Sequence, residues 1–302
     1  MSLIVLGTVA LDNIKTPSGV RKNLLGGSAA HFSMAARLFT DVHLVAVVGE
    51  DFPKRYPTFL KNKGINLTSL QIASGGKTFR WHGEYKKEDF NTAVTLATEL
   101  GVLSSLEAPA IADHQKHISN VFLANIDPDI QIGLLGLMKK PRLVGVDSMN
   151  LWIRHKKKSL LKLIKGVDLF VANDSEARML TGEHNLIKSA KHLRSLGPKL
   201  IVIKKGEHGV LFYSDKTRFS FPAYPIETVV DPTGAGDTFA GGLMGYLCKA
   251  GKMDAKTLKT AVIYATTIAS FNVEGFGMEK TDKLTLPVVR KRMKELLSFI
   301  SY

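Results

Sequence analysis

The chain has 302 residues, of which 45% are hydrophobic, a formal net charge of +14 and one cysteine. That length and apolar fraction exclude a disordered or fibrous protein and allow a large buried core. The lone Cys248 excludes an internal disulfide, and no apolar run approaches the roughly 20 residues of a membrane helix, so no membrane partner is expected.

From the N-terminus, "MSLIVLGTVALDN" has neither a charged leader region nor a cleavage site, so it reads as a first strand of a cytoplasmic protein. Short apolar runs follow at intervals: "LIVLG", "VHLVAVVG", "NVFLAN", "RLVGVD", "VDLFVAN" and "KLIVIKKG". They alternate with helix-like segments at Ser28 to Phe39, Asp129 to Lys140, Ser175 to Thr181 and Ile187 to Leu196. The alternation predicts an α/β fold, with helices on both faces of a mostly parallel sheet. No repeat or low-complexity linker interrupts it, so residues 1–302 are expected to form a single domain.

Residues 65–103 break the rhythm. "KTFRWHGEYKKEDFNTAVTLATEL" alternates roughly with period two and has no long apolar stretch, which predicts a small projecting antiparallel sheet, completed by residues 12–25. Such a sheet is placed to act as a lid, and its exposed edges would suit a homodimer. Arg80 and Trp81 fall on it; Arg80 would meet a phosphorylated substrate if it faced the pocket. The run "GGKT" at Gly75 to Thr78 looks like the end of a P-loop. It fails because position 71 is Gln71 rather than glycine and a strand-like segment follows, so it reads as a turn.

Further on, His114 and His117 have metal-like spacing without further ligands nearby, and read as a solvated helix face. The basic run Arg154 to Lys158 sits at an expected helix start without interleaved aromatics, and also reads as a solvated face. The positive charge therefore suits a nucleotide ligand better than a nucleic-acid partner. Cys248 lies in an apolar helical stretch and reads as core.

The most informative stretch is "ETVVDPTGAGDTFAGG", Glu227 to Gly242. A strand ending near Val230 is expected to lead through Asp231, Pro232 and Thr233 into a glycine-rich turn and then a helix. Glycines permit close approach of a ligand, and the free N–H groups of a helix's first turn attract anions. Asp237 falls in that turn, where a carboxylate is favoured by the helix dipole and can take a proton from an attacking hydroxyl. For the Gly-Ala-Gly-Asp segment alone, a capped tight turn explains the residues equally well.

The longer string "DPTGAGDTFAGG" resembles the signature of the ribokinase-like carbohydrate kinases, the PfkB family. Agreement extends along the chain through "LLGGSAAHF", Asp12, "NDSEA" and "VIKKGEHG". The resemblance implies a ribokinase-like fold and transfer of phosphate from ATP to a hydroxyl of a small sugar, polyol or sugar-like substrate. It implies Asp237 as base and the N–H groups of Gly234, Ala235 and Gly236 as the anion hole. Asn173 and Glu176 would organise Mg2+; Lys204, Gly206, Gly209, Thr233, Asn272 and Gly275 would serve the nucleotide. Of the neighbours Lys204 and Lys205, at most one is expected to point inward. Some family members also hold a monovalent cation such as K+ near Asp231 and Thr233.

On the substrate side the resemblance implies Asp12, Gly26 and Gly27. Many sugar kinases of the family carry asparagine where this chain has His31, a departure that argues against ribose or fructose and leaves the histidine to contact a different polyol, a phosphate group or nothing. Asn125, Asp147 and Asn150 lie at expected strand ends, where open parallel sheets bind ligands. A nucleoside kinase and a non-catalytic sugar or nucleotide sensor are the alternatives. Retention of both Asp237 and the Asn173/Glu176 pair argues against the sensor.

Overall fold

The computed structural model describes residues 1–106 and 110–300. Strands β1 (Ser2–Leu6), β2 (Ala10–Thr16) and β3 (Gly19–Gly26) precede α1 (Ser28–Ala36), β4 (Asp41–Gly49), α2 (Arg55–Asn62) and β5 (Ile65–Ala73). Then come β6 (Arg80–Lys86), β7 (Asp89–Glu99), β8 (Asn120–Leu123), α3 (Pro128–Leu137), β9 (Leu143–Asp147), α4 (Asn150–His155) and α5 (Lys157–Lys165). They are followed by β10 (Leu169–Asn173), α6 (Asp174–Thr181), α7 (Leu186–Ser195), β11 (Leu200–Lys204), β12 (Val210–Tyr213) and β13 (Arg218–Phe221). The last helices are α8 (Ala235–Ala250), α9 (Ala255–Asn272) and α10 (Leu286–Ser298).

Among the described residues, nine strands form the main sheet in the order β13-β12-β11-β10-β9-β8-β1-β4-β5, with parallel pairing throughout except where β12 pairs with β11 and β13 at one edge. Successive residues of each strand serve opposite faces. Leu3 and Val5 join a core with Phe32 of α1, Leu243 of α8 and Val262 of α9, whereas Ile4 and Leu6 join one with Leu134 of α3 and Leu163 of α5. Burial on both faces is why these strands read as continuous apolar runs. The chain winds outward from β1 in both directions, so the order reverses between β1 and β8. Ligands of open α/β sheets bind at such a reversal, beyond the carboxyl ends of the strands.

Helix α8 packs almost backbone to backbone on α1: a Cβ at Gly241 would stand 2.2 Å from the Phe32 carbonyl oxygen. That close approach brings the start of α8 beside the start of α1, at the same rim of the sheet.

The second sheet has the order β3-β2-β6-β7. It is narrower than the sequence pattern suggests, because β5, expected in the lid, pairs in parallel with β4 in the main sheet. Nor is it wholly antiparallel, since β2 and β6 run parallel. Residues 75–78 form the expected turn and connection, in which the buried Thr78 hydroxyl accepts from the Gly49 N–H. The basic run does not start one helix but spans the α4 to α5 junction, where Lys156 pairs with Asp127 and Asp129. No strand forms at 227–230; the Val230 N–H instead donates to the Val273 carbonyl. Among the described residues, no helix is long and apolar enough to cross a membrane.

Candidate active site

At the start of α8, Gly234 is the N-cap residue with φ of 74°, and Asp237 lies in the first turn. The loop before it is tied from three sides. The buried Asp231 carboxylate accepts from the N–H groups of Thr233 and Gly277, and the Val273 carbonyl accepts from those of Val230 and Asp231. Asn272 donates through Nδ2 to the Thr233 carbonyl at 2.8 Å. Among the described residues the N–H groups of Gly234 and Gly236 have no intramolecular acceptor. The Ala235 N–H, expected as a third donor of the anion hole, is instead spent on the Pro232 carbonyl.

Asn272 was expected to line the nucleotide, but it is buried and works inside this loop. Its Nδ2 must face the Thr233 carbonyl, so its Oδ1 faces both the Thr238 hydroxyl, at 3.0 Å, and His31 Nδ1, at 3.2 Å. His31 Nδ1 therefore carries the proton. Burial lowers the His31 pKa to about 4, so the ring is neutral and its Nε2 is a buried, unpartnered acceptor. The ring rests on Gly234: a Cβ there would meet it at 2.3 Å. A neutral acceptor suits a substrate hydroxyl and disfavours a phosphate.

Four charged groups converge beyond the ends of β9, β10 and β11. Lys204 crosses the end of β10 to reach the buried Asp147 at 2.9 Å, and its Nζ lies 2.9 Å from where a Gly236 Cβ would stand. Burial pulls the Lys204 pKa down, but Asp147, Glu176 and Asp237 outweigh it and hold the ammonium above its ordinary value. Asp147, expected at the substrate, is paired with Lys204. Burial, then Asp147, raise the Asp237 carboxyl to about 7 against the opposing pull of Lys204. Glu176 is raised by burial and Asp147 in the same way.

Asn173 and Glu176 cap each other: Asn173 Oδ1 accepts from the Glu176 N–H and Glu176 Oε2 from the Asn173 N–H, both at 2.7 Å. This is the ordinary capping box at a helix start. It also fixes the Glu176 carboxylate at the charged cluster. Three carboxylates against one ammonium leave negative charge uncompensated, which suits a divalent cation that keeps its waters and needs few protein oxygens. Among the described residues there is no cluster of three or more metal-ligating side chains.

On the other side of the α8 turn, Asp12 lies over the glycine pair, accepting from the Gly27 N–H, and a Cβ at Gly26 would overlap its carboxylate. Burial and the charge of Asp231 raise its pKa to about 7. The cross-strand partner of Asp12 is Leu24, which forms a wall of an open, mainly apolar groove of about 370 Å³. Leu25, Tyr56, Phe59, Phe276 and Met278 complete the apolar lining.

Other expected residues are placed differently. Asn125 has both amide ends occupied, by the Met149 sulfur and by Trp152 Nε1 at 2.9 Å, while the Asn150 Oδ1 is buried without a partner. Arg80 is held by Asp51, at 2.7 Å, and by Asn23. Gly206 and Gly209 flank the turn between β11 and β12; the side chain of Asn91 from the lid lies over Gly206 and the Phe221 carbonyl over Gly209. Gly275 is covered by Glu279 and Lys280. His114 lies on a short 3₁₀ turn with its ring 6.4 Å from that of His43. Cys248 is buried in the core, as expected.

Sequence reasoning missed Tyr85. This lid residue is buried against Ile14 and Phe276, and its hydroxyl lies 3.4 Å from that of Thr233. Burial raises its pKa, and Asp231, Asp12 and Asp237 add to the rise. The signal was the period-two alternation of β6, which puts Trp81, Gly83 and Tyr85 on one face.

A model of the pfkB family of carbohydrate kinases matches residues 4–283. The chain is 35% identical over 253 residues to a cytidine kinase of Thermococcus kodakarensis, covering 82% of this chain and 88% of that one. Its fold matches that of the Methanocaldococcus jannaschii nucleoside kinase with a TM-score of 0.78 at 22% identity, over 97% and 98% of the two chains. A putative ribokinase II from E. coli, solved in complex with ATP and Mg2+, matches with a TM-score of 0.81 at 18% identity, over 97% and 99%.

Proposed function

This chain belongs to the pfkB family of carbohydrate kinases, and we propose that it transfers the γ-phosphoryl group of ATP to a ribose hydroxyl of a nucleoside. The observation that carries the nucleoside reading is the apolar groove beginning at Leu24, directly across the strand pair from Asp12. Its volume falls in the range of about 300–1,000 Å³ typical of small-molecule sites, and a free sugar would leave its apolar walls unused. The likeness to a cytidine kinase points the same way.

In the reaction, Asp12 accepts a hydrogen bond from a ribose hydroxyl, and His31 Nε2 is available to a second one. Asp237 takes the proton of the attacking hydroxyl. A new O–P bond forms as the bond between the γ-phosphorus and the β-γ bridging oxygen breaks, and ADP leaves. The free N–H groups of Gly234 and Gly236, the positive end of α8 and Lys204 stabilise the charge on the transferring group. Glu176 and Asn173 would hold Mg2+ through its waters, and the ion supplies neutralisation of phosphate charge.

Turnover of cytidine, uridine, inosine, ribose and fructose with Mg-ATP tests the substrate class. Turnover of ribose or fructose in preference to every nucleoside would overturn the nucleoside reading. Phe276→Ala, which removes one groove wall, is expected to raise KM for the preferred nucleoside about tenfold, the order of a lost apolar contact, while leaving KM for ribose within about twofold.

The carboxylates also set a pH dependence. Asp12 and Asp237 both rest near pH 7 in the free protein and both work ionised, so kcat/KM is expected to fall as pH drops through about 7. Two ionisations give an acid limb steeper than one proton; a flat profile between pH 6 and 8 would contradict the assignment. Stability runs the opposite way. Both pKa values are raised above those of the unfolded chain, so the folded state binds more protons between about pH 4 and 7. These groups therefore contribute less stability as pH rises through that window.

A further inference from the structure

Arg292 on α10 is far along the chain from every residue given a part in the reaction, yet it joins the two segments that hold the anion-hole loop. Its guanidinium makes a fork with Glu274, Nη1 to Oε2 at 2.8 Å and Nη2 to Oε1 at 3.2 Å, and Nη1 also reaches the Ser270 hydroxyl at 3.2 Å. Its carbon centre lies 3.5 Å from the ring centroid of Phe271 and 4.8 Å from that of Tyr224. Planar guanidinium groups suit this combination of a bidentate pair and aromatic stacking.

The two aromatic contacts lead to different segments. Phe271 and Glu274 bracket Asn272 and Val273, which bind the Thr233 carbonyl and the N–H groups of Val230 and Asp231. Tyr224 belongs to the irregular stretch that leads from β13 into the same loop, and a second α10 residue, Glu295, accepts a hydrogen bond from its hydroxyl. No strand or helix fixes residues 222–234 by ladder bonds, so the loop's position depends on these ties. We propose that Arg292 is a positioning residue for phosphoryl transfer: it clamps the end of α9 to the incoming chain and thereby fixes the N–H groups of Gly234 and Gly236. Displacements of about 1 Å at such a site can lower a rate about 100-fold, so a clamp remote from the chemistry is enough to govern it.

The test compares Arg292→Met with Arg290→Met, which removes the same charge from an exposed position of the same helix. Hydrogen exchange of the free protein is followed at the bonded amides within 230–236 (Val230, Asp231, Thr233 and Ala235) and at those of β10, and kcat and KM are measured with Mg-ATP and cytidine. For Arg292→Met, exchange at 230–236 is expected to quicken at least about tenfold with β10 unchanged. Its kcat is expected to fall roughly 10- to 100-fold, with both KM values within about threefold. Arg290→Met is expected to match the wild type in every readout. Unchanged exchange at 230–236, equal quickening in β10, or the same effects in Arg290→Met would each overturn the proposal. Should Arg292→Met not fold, Glu274→Gln keeps the stacked arginine, weakens the fork and is held to the same criteria. Because exchange needs no substrate, a wild type inactive on cytidine would count against the nucleoside reading and leave the clamp decided by the exchange data.

Discussion

Asp237→Asn is expected to lower kcat about 1,000-fold while leaving the fold and ATP affinity close to those of the wild type. General-base catalysis is worth about 100- to 10,000-fold, and no other carboxylate stands in the first turn of α8 to take over. The substitution is nearly isosteric, so the backbone donors of Gly234 and Gly236 stay in place. A residual rate from positioning and electrostatics should therefore persist. Stability should rise with the loss of activity: the wild-type carboxylate is already raised to about 7 by burial and Asp147, so at pH 8 its charge opposes folding. A melting midpoint at pH 8 equal to or above that of the wild type, together with the rate loss, is the expected pair of results. Turnover near the wild-type level would remove Asp237 from the role of base.

Lys204→Met should cost both activity and stability. Lys204 is the cation in contact with Asp147 and is held above its ordinary pKa by Asp147, Glu176 and Asp237. Removing one member of a buried pair leaves its partner uncompensated, a change that typically costs about 3–5 kcal/mol. Turnover should fall at least about 100-fold, because the same ammonium lies beside Gly236 where transferring phosphate would sit. Combining it with Asp147→Asn separates the effects. The double variant should recover much of the lost denaturation midpoint, since the Asp147 carboxylate in contact with Lys204 is no longer left unpaired, but not the turnover. Recovery of both would mean that Lys204 acts only by neutralising Asp147.

These two residues show why part of the site was readable and part was not. Asp237 could be placed from its neighbours because helix start, glycine turn and carboxylate all fall within one short segment. Lys204 could be assigned to the anion side, but its contact with Asp147 depends on the strand order β9-β10-β11, which sets ends 57 residues apart in sequence across one intervening strand. The inward hydrogen bonding of Asn272, expected at the nucleotide, was unreadable for a related reason. Periodicity locates the end of α9, yet whether that amide turns outward or back into the loop depends on the packing of α9 against α8 and α1.

The lid carries the same lesson. Alternation revealed its strands, but β5 is equally strand-like and pairs with β4 instead, since strand propensity reports a pleated environment rather than a particular neighbour. By itself the sequence determined the alternation of strand and helix, burial on both sheet faces, and the glycine-rich start of α8 with Asp237 in its first turn, because each is encoded by residues adjacent along the chain. Only the tertiary structure decided the neutral state and orientation of His31, the Lys204 to Asp147 contact, the entry of Tyr85 from the second sheet and the groove that begins at Leu24. Those arise where separate elements meet, and their energies depend on distances and burial that no local pattern specifies.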